Sequence, residues 1–175
     1  MESRELMKKA TIFHGHICPG IAIGVLVAKY ILEHGFERSS DEELVAVVET
    51  DNCSVDALQA LLGTTYGKGN LIHNDYGKNN YNIYSRKSQK AVKLTLKASV
   101  LDSKKLTRDE KIQKLLELEP EDLFDIREIE FDPPILAQIE ESVPCDMCGE
   151  LTMNSRIIRY QDSNICIPCY KEIKK

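Results

Sequence analysis

Apolar residues recur with a helical period over residues 2–13, which predicts a short amphipathic helix, whereas Ile21-Ala-Ile-Gly-Val-Leu-Val-Ala-Lys-Tyr-Ile-Leu32 is apolar nearly all round and predicts a buried one. Pro19 suits the first position of that second helix, and Gly35 stops it after about Glu33. Leu44-Val-Ala-Val-Val48 reads as a buried strand. Asp51-Asn-Cys-Ser54 then supplies N-cap chemistry for a helix that carries Val55, Leu58, Leu61 and Leu62 on one side. From Gly67 to Leu101 the period changes to two, with Tyr81 and Ile83, then Val92, Leu94 and Leu96, alternating with polar residues as half-buried antiparallel strands do. Tyr66-Gly-Lys68 and Tyr76-Gly-Lys78 echo each other, and a hairpin with turn glycines accounts for the echo more simply than a duplication. Residues 107–119 predict a surface helix with Thr107 and Glu110 as its capping box, and Leu123 to Phe131 predicts a last strand. Helices and strands mix without regular βαβ alternation, so the expected class is α+β with a mixed or antiparallel sheet.

Asp132-Pro-Pro134 interrupts any regular element and marks a boundary. The expected organisation is a core domain over 1–132, a linker over 133–144 with a helix as one option from Ile135 to Val143, and a small domain over 145–175. With 175 residues, 42% of them hydrophobic, the chain has room for one domain with a real core and a satellite. No run of about 18 apolar residues is present, and Met1-Glu-Ser-Arg-Glu-Leu-Met-Lys-Lys lacks the apolar stretch of a signal peptide, so a cytoplasmic setting is expected. Residues 1–143 carry a net charge of −6 and residues 144–175 carry +1. Neither is a basic footprint, which removes nucleic acid from the expected partners.

The satellite carries the most specific chemistry. Cys145-Asp-Met-Cys148-Gly and Cys166-Ile-Pro-Cys169 are two Cys-x-x-Cys knuckles separated by 17 residues. The two-residue spacer lets both sulfurs of a knuckle face one centre, Gly149 permits the tight turn after the first knuckle, and the interval suffices for a β-hairpin. Four thiolates fill zinc's shell and leave no position for water, so the expected zinc is structural. A redox pair or disulfides are the alternative, and in the cytoplasm metal ligation is the better reading.

A second constellation lies in the core. His14-Gly-His-Ile-Cys-Pro-Gly20 sets two imidazoles and a thiol at alternate positions ahead of a helix, and Asp51-Asn-Cys53 sets a carboxylate and a thiol ahead of another. A helix N-terminus favours an anion and so promotes a thiol there as nucleophile or metal ligand. Gly15 and Gly20 would let the backbone approach a ligand. Taken singly, Cys18 and Cys53 suit packing, and His14 and His16 suit a helix C-terminus. Taken together they favour a pocket, with imidazole and thiolate ligands suited to zinc, iron or nickel as a second metal. Gly67-Lys-Gly69 could wrap an anion beside Lys68, and a plain β-turn is the competing reading.

The segments Phe13-His-Gly-His-Ile-Cys-Pro-Gly-Ile-Ala-Ile-Gly24, Glu49-Thr-Asp-Asn-Cys-Ser-Val-Asp-Ala-Leu-Gln59 and Thr65-Tyr-Gly-Lys-Gly-Asn-Leu-Ile-His-Asn-Asp-Tyr-Gly-Lys78 resemble the FmdE family of formylmethanofuran dehydrogenase. The four-cysteine tail resembles the treble-clef finger of some of its members. The resemblance implies an α+β core, a homodimer, a cleft around the His/Cys motif, and a link to one-carbon metabolism and methanogenesis. It also implies association with the other components of formylmethanofuran dehydrogenase, an oxidoreductase whose metal-pterin and iron–sulfur chemistry those components hold.

Six cysteines are too few for a four-thiolate zinc and a four-thiolate cluster together, so the chain is not expected to be the complete catalytic unit. The leading expectation is a metal-binding accessory protein. Cys18, Cys53 and His16 are the candidate reactive residues, and His14, Asp51 and Lys68 would bind the ligand. Two alternatives remain. In a stand-alone enzyme, Cys18 or Cys53 is the nucleophile, His14 or His16 the base, and Lys68 orients an anionic substrate. In a zinc-finger adaptor for protein partners, the core is scaffold.

Overall fold

The computed structural model describes residues 2–98 and 106–175, so Leu101, the expected end of the period-two region, lies outside them. The chain divides into two units, Met1–Ile135 and Leu136–Lys175.

In the first unit the described elements are, in order, α1 (Ser3–His14), α2 (Pro19–Glu33), β1 (Leu44–Val48), α3 (Ser54–Leu62), β2 (Leu71–His73), β3 (Asn80–Ser85), β4 (Lys90–Leu96), α4 (Arg108–Glu117), α5 (Pro120–Leu123) and β5 (Phe124–Glu128). The strands form one mixed sheet in the order β2-β1-β3-β4-β5, with β1 and β2 parallel and the other pairs antiparallel. Alternation decides its inner face. Ala46 pairs with Ile83, Ile83 with Val92, and Leu94 with both Tyr81 and Ile126, so the buried side chains line up on one side and join the helices in a single apolar cluster.

The expected hairpin around the two Tyr-Gly-Lys echoes does not form. β2 and β3 lie on opposite sides of β1, with Ala46 opposite Leu71 on one side and Ile83 on the other. The intervening chain passes over the end of β1, pinned where the Asn74 amide donates to the Val48 carbonyl and the Lys78 amide to the Glu49 carbonyl. The last strand also differs from expectation. Leu123 closes α5, β5 ends at Glu128, and Phe131 leaves the sheet to stack on Tyr84 with ring centroids 5.2 Å apart.

Helix α2 is central. It packs against α1, α3, α4 and α5, which is why Ile21 to Lys29 and Ile31 are all buried and why the segment is apolar all round. Each large side chain so buried contributes about 2 kcal/mol. Its one buried charge, Lys29, pairs with Glu119. On α3 the buried positions are Ser54, Ala57, Leu58, Leu61 and Leu62, whereas Val55, expected on that side, is half-buried. The two helices meet through glycine. A Cβ on Gly24 would lie 2.1 Å from the Ser54 carbonyl oxygen, and one on Gly20 would lie 3.0 Å from the Cys53 Cβ. Positions i and i+4 share a helix face, so these two glycines open one strip of α2 to the first turn of α3.

The second unit contains the antiparallel pair β6 (Ser142–Pro144) and β7 (Leu151–Met153), a 3₁₀ turn at Asn154–Arg156, the hairpin β8 (Ile157–Tyr160) and β9 (Ser163–Cys166), and α6 (Ile167–Ile173). The helical option for 135–143 is not taken. Residues 129–141 are irregular, 142–144 form β6, and Ile139 is fully exposed, so a helix there would have no apolar face to bury. Among the described residues, no helix is long and apolar enough to cross a membrane.

Candidate functional site

Three helix ends bring the core donors together. α1 ends at His14, and Gly15 turns the chain there with φ +88°; Cys18 is the N-cap of α2 and Cys53 the N-cap of α3. Close contact along Gly20 and Gly24 draws the α2 and α3 N-termini to one place. As a result the donor atoms of His14, His16, Cys18 and Cys53 all lie within 4.8 Å of one another.

Each donor has its own environment. Cys18 is buried, and its Sγ accepts the Ile21 amide at 3.4 Å. Cys53 is half-buried and makes no side-chain cap. Asn52 caps α3 instead, its Oδ1 accepting the Ser54 amide at 3.0 Å and the Ser54 hydroxyl at 2.6 Å. Burial and the neighbouring Cys18 thiol push the Cys53 thiol above its ordinary pKa. The His14 Nδ1 lies 2.7 Å from Asp56 Oδ2, and its Nε2 faces Cys18 Sγ at 3.9 Å. Gln59 steadies the carboxylate, donating from Nε2 to Asp56 Oδ1 at 3.2 Å. A metal-ligating histidine is commonly held by a carboxylate on its other nitrogen, and this geometry has that form.

The donor set fits a tetrahedral ion. Zinc–sulfur and zinc–nitrogen bonds of about 2.3 and 2.0 Å imply a sulfur–nitrogen edge of about 3.5 Å, near the 3.9 Å between Cys18 Sγ and His14 Nε2.

Two other candidates lie elsewhere. Asp51 is exposed and outside the donor cluster. Lys68 donates to the Ser40 carbonyl at 3.3 Å from a turn beyond the C-terminal end of α3, where the Gly69 amide donates to the Tyr66 carbonyl at 3.1 Å. α3 has 9 residues, so about 13 Å of helix separates that turn from the cluster at its N-terminus. The β-turn reading of Gly67-Lys-Gly69 describes it. Sequence reading missed Asp56 and Gln59, although Asp56 follows Cys53 by three positions and Gln59 follows Asp56 by three. It also took Gly20 for a ligand-approach residue, whereas Gly20 and Gly24 serve the helix contact.

In the second unit, Cys145, Cys148, Cys166 and Cys169 also have sulfurs within 4.8 Å of one another. Cys148 Sγ lies 3.9 Å from Cys166 Sγ, against about 3.8 Å for the edge of a zinc–thiolate tetrahedron. The Cys148 and Cys166 amides point at Cys145 Sγ, the latter at 3.3 Å, and draw that thiol down to about 6. The Cys166 thiol and burial push Cys169 up. The buried cluster of this unit is Cys145, Ile165, Cys166 and Cys169, with Tyr160 and Tyr170 packed against it, so three of its four buried apolar positions are donor cysteines.

Comparison with known proteins shows the family and the fold. A curated relative from Archaeoglobus fulgidus, described as a probable S-adenosyl-L-methionine-binding protein, is 33% identical over 94% of this chain and 52% of its own length. The chain thus spans about half the length of the curated relative it matches. Among solved structures, a tungsten formylmethanofuran dehydrogenase FmdE-like protein from Syntrophus aciditrophicus superposes with a TM-score of 0.71 at 22% identity, covering 97% of this chain and 92% of that one, and shares the fold. The model of the family described as "FmdE, Molybdenum formylmethanofuran dehydrogenase operon" matches residues 13–125, the stretch that contains all four core donors and both glycines of the helix contact, and the chain belongs to that family.

Proposed function

We propose that the protein is a metal-binding accessory protein of formylmethanofuran dehydrogenase and one-carbon metabolism, with zinc in both clusters. The observation that carries this reading is the convergence of His14, His16, Cys18 and Cys53 within 4.8 Å, with the far nitrogen of His14 already held by Asp56. In the core, the two thiols and the two imidazoles would hold the ion. It would supply Lewis acidity and hold thiols as thiolates at neutral pH. In the second unit, the knuckle, hairpin and helix-borne cysteines have the order of a treble clef, and the zinc there is structural. The protein acts in the cytoplasm, where reduced thiols persist, and works as a homodimer.

Metal analysis of the purified full-length protein tests the metal reading. About two zinc ions per chain are expected, falling to about one in Cys18→Ser and, separately, to about one in Cys145→Ser. One zinc per wild-type chain, unchanged by Cys18→Ser, would remove the core centre. Sedimentation at micromolar concentration should give twice the 19.9 kDa chain mass, and a species at 19.9 kDa would remove the dimer. The Archaeoglobus relative's description favours a second reading, in which S-adenosylmethionine is the small-molecule ligand. Calorimetric titration of the metal-loaded protein with that compound tests it, with saturable heat expected if it holds and none if it does not.

A further inference from the structure

The four core donors are not held alike. His14 is fixed from both sides, by Asp56 at Nδ1 and by the approach of Cys18 at Nε2. Cys18 is buried and accepts an amide, and Cys53 is wedged against Gly20. His16 differs on every count. It is exposed, it follows Gly15, where a Cβ would meet nothing within 4 Å, and among the described residues its side chain has a ring contact with His14 at 4.3 Å and no hydrogen bond.

We propose that His16 is the exchangeable ligand of the core centre and that the position it leaves takes a small thiol. This rests on the metal reading above and names what the centre would receive. Releasing His16 gives up its ring contact with His14 and, among the described residues, no hydrogen bond, and it restores rotamer freedom to an exposed side chain on a glycine pivot. Releasing His14 or Cys18 would strip a hydrogen-bonded or buried group of its partner, at greater cost, and Cys53 is held by its packing against Gly20.

The choice of a thiol follows from the donors. Two thiolates and an imidazole form a soft set that prefers a soft entrant to a carboxylate or phosphate. The exchange balances. The thiol's proton passes to the freed imidazole of His16, its sulfur takes the vacated position, and no electron is transferred.

Cobalt(II) in the full-length protein is the probe, with Cys18→Ser protein giving the spectrum of the four-cysteine cluster alone. His16→Ala should keep its core cobalt with affinity reduced by less than about tenfold, whereas His14→Ala should lose more than about a hundredfold. Titration with 2-mercaptoethanol should raise the sulfur-to-cobalt charge-transfer band of the core without loss of metal. Saturation should come at about fivefold lower thiol in His16→Ala, where no internal ligand competes. Acetate and phosphate should leave the band unchanged. Equal loss of cobalt in His16→Ala and His14→Ala, with both variants folded by circular dichroism, would overturn the proposal, and so would a thiol-silent core or an equal response to acetate. A wild-type protein with one cobalt per chain, insensitive to Cys18→Ser, would overturn the metal reading as well, and is distinguishable from a two-cobalt protein that ignores thiols.

Discussion

Both clusters collect four soft donors from two short segments, yet they stand in opposite relations to their surroundings. The core donors sit at the ends of α1, α2 and α3, and the positions of those ends are set by a large apolar cluster that includes Ile21, Leu26, Leu58 and Ile83. The site is a consequence of the fold. In the second unit the donor cysteines are themselves most of what is buried, so the fold is a consequence of the site. A metal bound by a preformed pocket adds stability in proportion to its affinity, whereas a metal that replaces a hydrophobic core decides whether there is a folded state at all. The same contrast appears in how the donors are held. The core uses long-range partners such as Asp56 for His14, and the second unit uses amides of its own knuckles on Cys145.

The largest effect that contrast predicts is loss of the second unit alone on metal removal. Cys145→Ser, or chelation, should unfold residues 142–175, because zinc contributes on the order of 10 kcal/mol or more to such modules. Hydrogen exchange should show protection lost there and retained in β1, β3 and β4; collapse of those core strands in step with the chelator would erase the distinction.

Next in size is Gly24→Val. Its branched side chain meets the Ser54 carbonyl and Ala57, and overpacking of this kind costs about 3 kcal/mol. It should also drive the α2 and α3 N-termini apart and so release the core metal while leaving the second unit's zinc in place. Urea unfolding together with metal counting checks both, and a variant with full stability and about two zinc ions per chain would show that the glycine contact does not set the site.

Tyr81→Phe probes the support beneath the cluster more gently. The buried Tyr81 hydroxyl lies 2.7 Å from the Ser54 hydroxyl, and burial pushes its pKa up to about 12. Loss of this hydrogen bond should cost about 1 kcal/mol in denaturant unfolding, with core metal content unchanged. Loss of the metal would tie the donors to this network more tightly than the geometry indicates.

The smallest effect concerns acid. Glu43 Oε2 accepts the Asp41 amide at 2.8 Å and the Ser39 hydroxyl at 2.9 Å, and hydrogen bonds from backbone amides, its own first, hold the carboxyl down to about 2 from 4.5. The folded value lies below the unfolded one, so the stabilisation is fully present above pH 4.5 and fades as pH falls toward 2. Thermal scans of Glu43→Gln should therefore show a shallower decline than wild type across that window. Parallel curves would assign the acid sensitivity to other groups.

Much of the architecture was legible from local pattern. The boundaries of α2 and β1 follow Pro19, the all-apolar run and Leu44–Val48, and the Thr107–Glu110 capping box is present, with the Thr107 amide donating to Glu110 Oε2 at 2.7 Å. These signals are local, so no partner element was needed to read them. The parallel pairing of β2 with β1 was not legible, because a three-residue strand carries too short a pattern to name its neighbour. The departure of Phe131 from the last strand depends on Tyr84, which lies far away in sequence. At the site, residue type and helix-end position singled out His14, His16, Cys18 and Cys53, but the same reasoning named Lys68, whose turn lies at the wrong end of α3.

Sequence alone therefore determined the α+β class, the extent of the main helices, and the two groups of cysteines and histidines, because periodicity, caps and ligand spacing act within a few residues. Tertiary structure forms the pocket expected of these residues, bringing Cys18 and Cys53, 35 positions apart, to one centre with both histidines. It also decided that Asp56 fixes one histidine while the other, among the described residues, makes no hydrogen bond. The physical reason is the bare strip of Gly20 and Gly24. How closely α3 may approach α2 depends on volume missing from one helix and backbone supplied by the other, and no single segment contains both.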